Sequence, residues 1–158
     1  MNISNIKTTS GKCYGISKLK SGDYQYEDRL YQFNYIPDEL NGHIHIKTHG
    51  DDKLISEDHE CFSFECDEDV EVYVIYPDKH PELPKWLESF ARMRMNVTRF
   101  DSMPDNLKGY FSIYKKVYPK GKITLYGCSP KKMLQEEWYV TSMGANYCMY
   151  SVCVRPVG

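Results

Sequence analysis

Nowhere does the chain hold an uncharged apolar run near the roughly 20 residues that a membrane-crossing helix needs, so no membrane partner is expected. Met1 to Ser10 is polar and lacks the apolar stretch of a secretory leader, which sets the expectation of a reducing compartment. No two cysteines stand at C-x2-C spacing, so the common structural-zinc framework is missing. A P-loop, a nucleophile elbow and the ordered serine, histidine and aspartate of a hydrolase are absent too. Neither sign of charge dominates. Twenty Lys and Arg face 22 Asp and Glu, a formal charge of −2, which gives nucleic acid no bulk attraction. Tryptophan is scarce, two residues against 14 Tyr and 6 Phe. Internal repeats, low-complexity tracts and linkers are missing, so residues 1–158 are expected to form a single domain, with 1–9 as a loose arm.

What is present is alternation. Leu30 to Tyr35 sets Tyr31, Phe33 and Tyr35 against Leu30, Gln32 and Asn34. His43 to Thr48, Cys61 to Cys66, Val70 to Tyr76, Tyr110 to Tyr118, Lys122 to Tyr126 and Tyr147 to Val154 are β-prone in the same way. In the Cys61 to Cys66 segment, Phe62, Phe64 and Cys66 are assigned inward, and Cys61, Ser63 and Glu65 outward. Turn chemistry at Asn41-Gly42, Asp51-Asp52, Asp67-Glu68-Asp69, Lys120-Gly121 and Ser129-Pro130 divides the strands. Only Pro84 to Phe90 and, more weakly, Met133 to Trp138 read as helical. The pattern predicts an all-β fold, an antiparallel two-sheet jelly-roll sandwich of about eight strands with one short helix.

Four groups of residues carry candidate chemistry. His43, His45 and His49 stand at even offsets, the strand geometry of a metal site, but no further ligand follows at suitable spacing. Two exposed histidines on a polar strand face account for the same string, and no enzymatic role is expected. Asp51, Asp52, Glu57, Asp58 and Glu60 offer oxygen ligands for a structural calcium without the ligand order of an EF-hand; no other cofactor is expected. Phe90 to Phe100 interleaves arginines with apolar residues, as a nucleic-acid groove does, and equally as an edge strand with a basic outer face does. Its neighbourhood, residues 79–132, carries twelve bases against four acids, whereas residues 51–78 carry eleven acids against Lys53. Trp138 and Tyr139, preceded by Gln135, Glu136 and Glu137, supply aromatic faces beside polar groups, which is what a sugar needs. The six cysteines are expected mostly as free thiols, because Cys61/Cys66 and Cys148/Cys153 stand at an odd offset of five that places partners on opposite strand faces.

Several strings resemble an accessory β-sandwich module found beside polysaccharide lyases and other carbohydrate-active domains. They are His45-Ile-Lys-Thr-His-Gly-Asp-Asp-Lys53, Cys61-Phe-Ser-Phe-Glu65, Val70-Glu-Val-Tyr-Val-Ile-Tyr-Pro-Asp78 and Pro84-Lys-Trp-Leu87. Tyr114 to Gly121, Ile123 to Gly127 and Met149 to Val154 extend the match over most of the chain. The resemblance implies a galactose-binding-like sandwich, non-catalytic and, unlike the polar start, secreted. Together these observations predict a carbohydrate-recognition module, with Trp138, Tyr139 and Gln135 as its platform. Lys120, Lys122 and Lys131, with Lys132, would meet an acidic polysaccharide. The alternative is a protein–protein or structural module that uses a Tyr-rich sheet face.

Overall fold

The described residues form ten strands, the seven segments read above and three more. The computed structural model describes residues 1–100, 108–141 and 147–158. In chain order the strands are β1 (Ile3–Thr8), β2 (Gly15–Lys18), β3 (Gln32–Tyr35), β4 (Ile44–Lys47), β5 (Glu60–Cys66), β6 (Val70–Pro77), β7 (Ala91–Phe100), β8 (Lys108–Tyr118), β9 (Gly121–Tyr126) and β10 (Ser151–Pro156). A small sheet has the order β1-β5-β9, and a large one β2-β4-β10-β6-β8-β7-β3. All these pairings are antiparallel. The fold is therefore the expected all-β, two-sheet sandwich, with ten strands among the described residues where about eight were expected. Its one α-helix among the described residues is α1 (Glu137–Thr141), and the expected helix after Pro84 is a 3-10 turn, Lys85–Ser89. No helix among the described residues is long and apolar enough to cross a membrane.

The centre is β6, buried at every position and flanked by β8 and β10. A strand covered on both faces reads as a continuous apolar run rather than an alternating one. Val70, Val72 and Val74 join Ile46, Val152, Phe62, Phe64, Ile123 and Leu125 in one buried cluster. The opposite face carries Glu71, Tyr73 and Ile75, with Cys153 and His45 beside them in register. Phe33 packs its edge on His45 at 5.3 Å, so the far edge of the large sheet covers this second face.

That contact exists because the large sheet curls until its edges meet. Beyond β2 the chain leaves β4 at Leu19 and pairs with β3: Gly22 N–H donates to Phe33 O at 2.8 Å, and Phe33 N–H to Asp23 O at 3.0 Å. Joining the two edges in this way removes a pairing hazard. Residues 19–25 have no strand pattern in the sequence, so the closure is a structural finding.

Two bulges overturn two sequence expectations. The expected loose arm is instead β1, paired with β5 from Ile3↔Cys66 to Thr8↔Phe62. Its register shifts between Ser4 and Lys7, where Asn5 takes φ 50°, a left-handed value that Asn tolerates. Ile3 and Ile6, three apart, both pack on the core as a result, and a period of two does not detect them. Cys61, expected outward, is buried, because β5 shifts register against β9 between Glu60 and Phe62.

Trp86 pins the 3-10 turn to the sandwich. Its Nε1–H donates to Gly127 O at 2.9 Å, and its ring meets Phe90 and Tyr150 edge-on at 5.7 and 5.5 Å. Gly127 is required there, since a Cβ would lie 2.0 Å from the carbonyl oxygen of Ser56. Trp86 is partly buried, so Trp86→Ala is expected to cost about 3 kcal/mol, the low end of the range for large aromatics in a core, and urea denaturation measures it.

All six cysteines are free; Cys13 is exposed and the other five are buried. Burial pushes the Cys61 and Cys66 thiols up to about 11, which starves them of reactive thiolate. Ellman titration is expected to find one fast thiol in the native protein and six after denaturation. Two or fewer after denaturation would mean disulfides.

Candidate ligand-binding site

The residues singled out from sequence do not converge. Gln135 closes a 3-10 turn, Met133–Gln135, and Trp138 and Tyr139 follow on α1. Trp138 is 48% exposed, edge-on to Tyr147 at 6.0 Å. Tyr139 is fully buried, its hydroxyl 2.9 Å from His80 Nδ1 and 3.0 Å from Ser129 Oγ. Successive helical residues diverge by about 100°, so one of the pair faces solvent and the other the core. Tyr139 is thus a core residue and not part of a platform. Gln135, Lys131 and Lys132 line a 660 Å³ cleft together with Glu57, Glu82 and Glu88, and no aromatic ring of a described residue lines it. Lys131 pairs with Asp58 at 3.3 Å and Lys132 with Glu82 at 3.6 Å. Lys120 and Lys122 lie at the opposite end of β9, with Lys122 in register with Glu65. The basic block is therefore dispersed over both sheets.

The other candidate groups come apart in the same way. Asp51 pairs with Arg29 at 2.7 Å, whereas Asp52 is buried and accepts from Tyr14 and Ser10. Glu57 accepts the backbone N–H of Lys85 at 2.6 Å and that of Lys131, and Glu60 is exposed on β5. These carboxylates form no single calcium cradle. Contrary to the exposed pair expected, His45 is buried; its Nδ1 lies 2.9 Å from Asp23 and 3.3 Å from Ser17 Oγ. A serine–histidine–aspartate relay needs its partners on opposite ring nitrogens, and here both share one. Burial pushes the His45 imidazole down, and its Nε2 faces the core without a hydrogen-bond partner among the described residues. His49 meets Asp28 and Asp51 within 4.8 Å, but Arg29 bonds both carboxylates and stands where a cation would.

The arginines of Phe90 to Phe100 also part company. Arg92 donates to Ser112 Oγ at 3.1 Å, and Arg99 is buried, donating to Gln25 at 3.0 Å beneath the Tyr31 ring. Arg94 enters a groove of 430 Å³ at the open end of the curled sheet. Tyr35 and Glu39 come to this groove from β3 and the turn after it, Tyr73 from β6, Lys115 from β8 and Arg155 from β10. Met93 and Met95 line it beside Arg94. Three successive residues reach one groove because β7 shifts register against β8 between Arg92 and Asn96, and a bulge re-aims side chains.

Two cations that line the groove, Lys115 and Arg155, share one buried carboxylate. Glu71, 6% exposed, takes Lys115 Nζ at 2.5 Å and Arg155 Nε at 2.9 Å. Burial pushes the Glu71 carboxyl up, but the hydrogen bonds from Lys115 and Arg155 outweigh it and hold it below the usual range. Both cations also lie near the Tyr73 ring, Lys115 at 6.0 Å and Arg155 at 5.7 Å, and burial pushes the Tyr73 hydroxyl up to about 12. Tyr35 is 56% exposed. The groove is mixed in character, with Tyr35, Pro37, Met93 and Met95 beside charged groups held in place, a combination of apolar contact and fixed polar atoms that small-ligand sites use.

A second surface lies on the outer face of the large sheet. Tyr24, Gln32 and Phe100 follow one another in register, and Thr98 is opposite Tyr110 on the same face. The three rings are 45–55% exposed, and Asn34 bonds Thr98 between them at 3.3 Å. It is not the face of Tyr31, Phe33 and Tyr35 that the alternation singled out: Gln32 has the opposite parity on β3, and Phe33 is buried.

No protein-family model matches the chain, and no curated protein matches it. Among solved structures it is similar to a β-glucuronidase from glycoside hydrolase family 2, at 19% identity and a TM-score of 0.73. It is also similar to a GH138 enzyme targeting pectin rhamnogalacturonan II, at 14% identity and a TM-score of 0.57. The matches cover 97% and 98% of this chain but span only 14% and 17% of those enzymes. At these identities the likeness is one of fold alone, a two-sheet β-sandwich.

His80, beneath Tyr139, makes the fold acid-sensitive. Its Nε2–H donates to Cys148 O at 3.1 Å, and burial pushes the imidazole down from 6.5 to about 4. Between those values the unfolded chain binds a proton that the folded chain refuses, so stability falls as pH drops from neutral toward 4. By pH 4.5 this group alone removes about 2–3 kcal/mol. Urea midpoints at pH 7.5 and 4.5 are expected to differ less in His80→Gln than in wild type; equal differences would contradict the assignment.

Proposed function

We propose that this domain is a non-catalytic carbohydrate-recognition module of galactose-binding-like type, with its ligand in the groove between Tyr35 and the Glu71–Lys115–Arg155 triad. The observation that carries the reading is the groove itself. It sets an exposed aromatic face and two thioether walls beside polar groups already held in place. Sugars need both, because their C–H faces stack on rings and their hydroxyls require fixed donors and acceptors. The fold likeness to domain-sized portions of two carbohydrate-active enzymes supports the same reading, since one is a β-glucuronidase and the other targets a pectin.

A second reading rests on the outer face. Tyr24, Phe100 and Tyr110 present three rings flanked by amides and a hydroxyl, a surface that suits a protein partner as well as a glycan.

A glycan array separates the two. The groove reading expects binding that Tyr35→Ala weakens at least tenfold at unchanged melting temperature, with Phe100→Ala neutral. Binding lost in Phe100→Ala and kept in Tyr35→Ala would transfer the site to the outer face, and a blank array would favour the protein partner.

A further inference from the structure

The groove holds more positive charge than its own carboxylates use. Lys115 and Arg155 are fixed on Glu71, and Arg155 Nη1 donates to the backbone carbonyl of Glu39 at 2.8 Å. Each keeps donors beyond these bonds, since an ammonium has three N–H groups and a guanidinium five. Arg94, on the same groove, has no hydrogen-bond or ion-pair partner among the described residues. Three cations thus stand against Glu71 beneath and Glu39 on the rim.

We infer that the ligand carries a carboxylate, and that Arg94, with Lys115 and Arg155, forms its seat. This rests on the carbohydrate reading of the groove and narrows it to sugars bearing uronic acid. A guanidinium matches a carboxylate with two parallel hydrogen bonds, which a neutral hydroxymethyl group cannot offer in return. Lys115 and Arg155 cannot swing away while Glu71 holds them, so much of the ordering a ligand would otherwise impose is already present in the fold. Tyr35 supplies the apolar contact for the ring that bears the acid. The seat is distinct from Lys120 just before β9, Lys122 on it and Lys131 on the segment beyond it.

The probes are matched pairs: oligogalacturonate, alginate and hyaluronan fragments, each as free acid and as methyl ester, titrated by calorimetry. At least one free acid is expected to bind tenfold or more tighter than its ester at low salt, with the gap narrowing as salt rises. Arg94→Ala is expected to remove that gap and change ester affinity less than twofold, whereas Lys20→Ala, an equal loss of charge elsewhere, leaves both unchanged. Equal affinities for acid and ester in every pair would overturn the carboxylate seat and leave the carbohydrate reading standing. So would binding confined to neutral glycans. Failure of every glycan, charged or neutral, would remove both.

Discussion

β6 is buried along its whole length, and the two sheets, the curl and the groove follow from having to cover both of its faces. One face is closed by the small sheet through Phe62, Phe64, Ile123 and Leu125. The other needs a second cover, and the large sheet supplies it by bending back on itself until Phe33 of its far edge lies on His45 of β4. Curling leaves an open end, and there β6 carries its one charged residue, Glu71. A buried carboxylate is costly unless paired, so its two neighbours in the sheet each contribute a cation. Arg155 stands directly opposite Glu71 on β10, and Lys115 stands opposite Tyr73 on β8. The triad that neutralises the strand is also what gives the groove its positive lining.

Most of the fold was legible from period-two alternation, because strands such as β5 and β9 have one face covered more than the other. β6 was found by its richness in Val, Tyr and Ile from Val70 to Tyr76, around the single acid Glu71. β1 was hidden because a bulge at Asn5 turns its apolar spacing from two to three. The same effect sent Cys61 inward against its parity. The closing segment 19–25 was not legible, since its pairing with β3 runs mainly from backbone to backbone and imposes no alternation on its side chains.

The site was much less legible than the fold. A string cannot say which of two adjacent helical residues turns inward, and Trp138 and Tyr139 divide on that point. The basic block from Lys115 to Lys132 looked continuous, but it crosses from the large sheet to the small one between β8 and β9, and its charges scatter. The groove gathers Tyr35, Tyr73, Arg94, Lys115 and Arg155 from five strands, so only the topology brings them together. Traces were there: Tyr35 stood in an alternating Tyr-rich strand, and Arg94 in the interleaved basic string.

The most direct test of a ligand groove at the open end of the large sheet is a map of backbone amide shifts on adding a glycan that binds. Shifts are expected at Tyr35 to Glu39, Met93 to Met95, Lys115 and Arg155, with the amides of Lys131 to Tyr139 unmoved. Shifts confined to the cleft around Lys131 and Gln135, or to Thr98, Phe100 and Tyr110 on the outer face, would contradict the account.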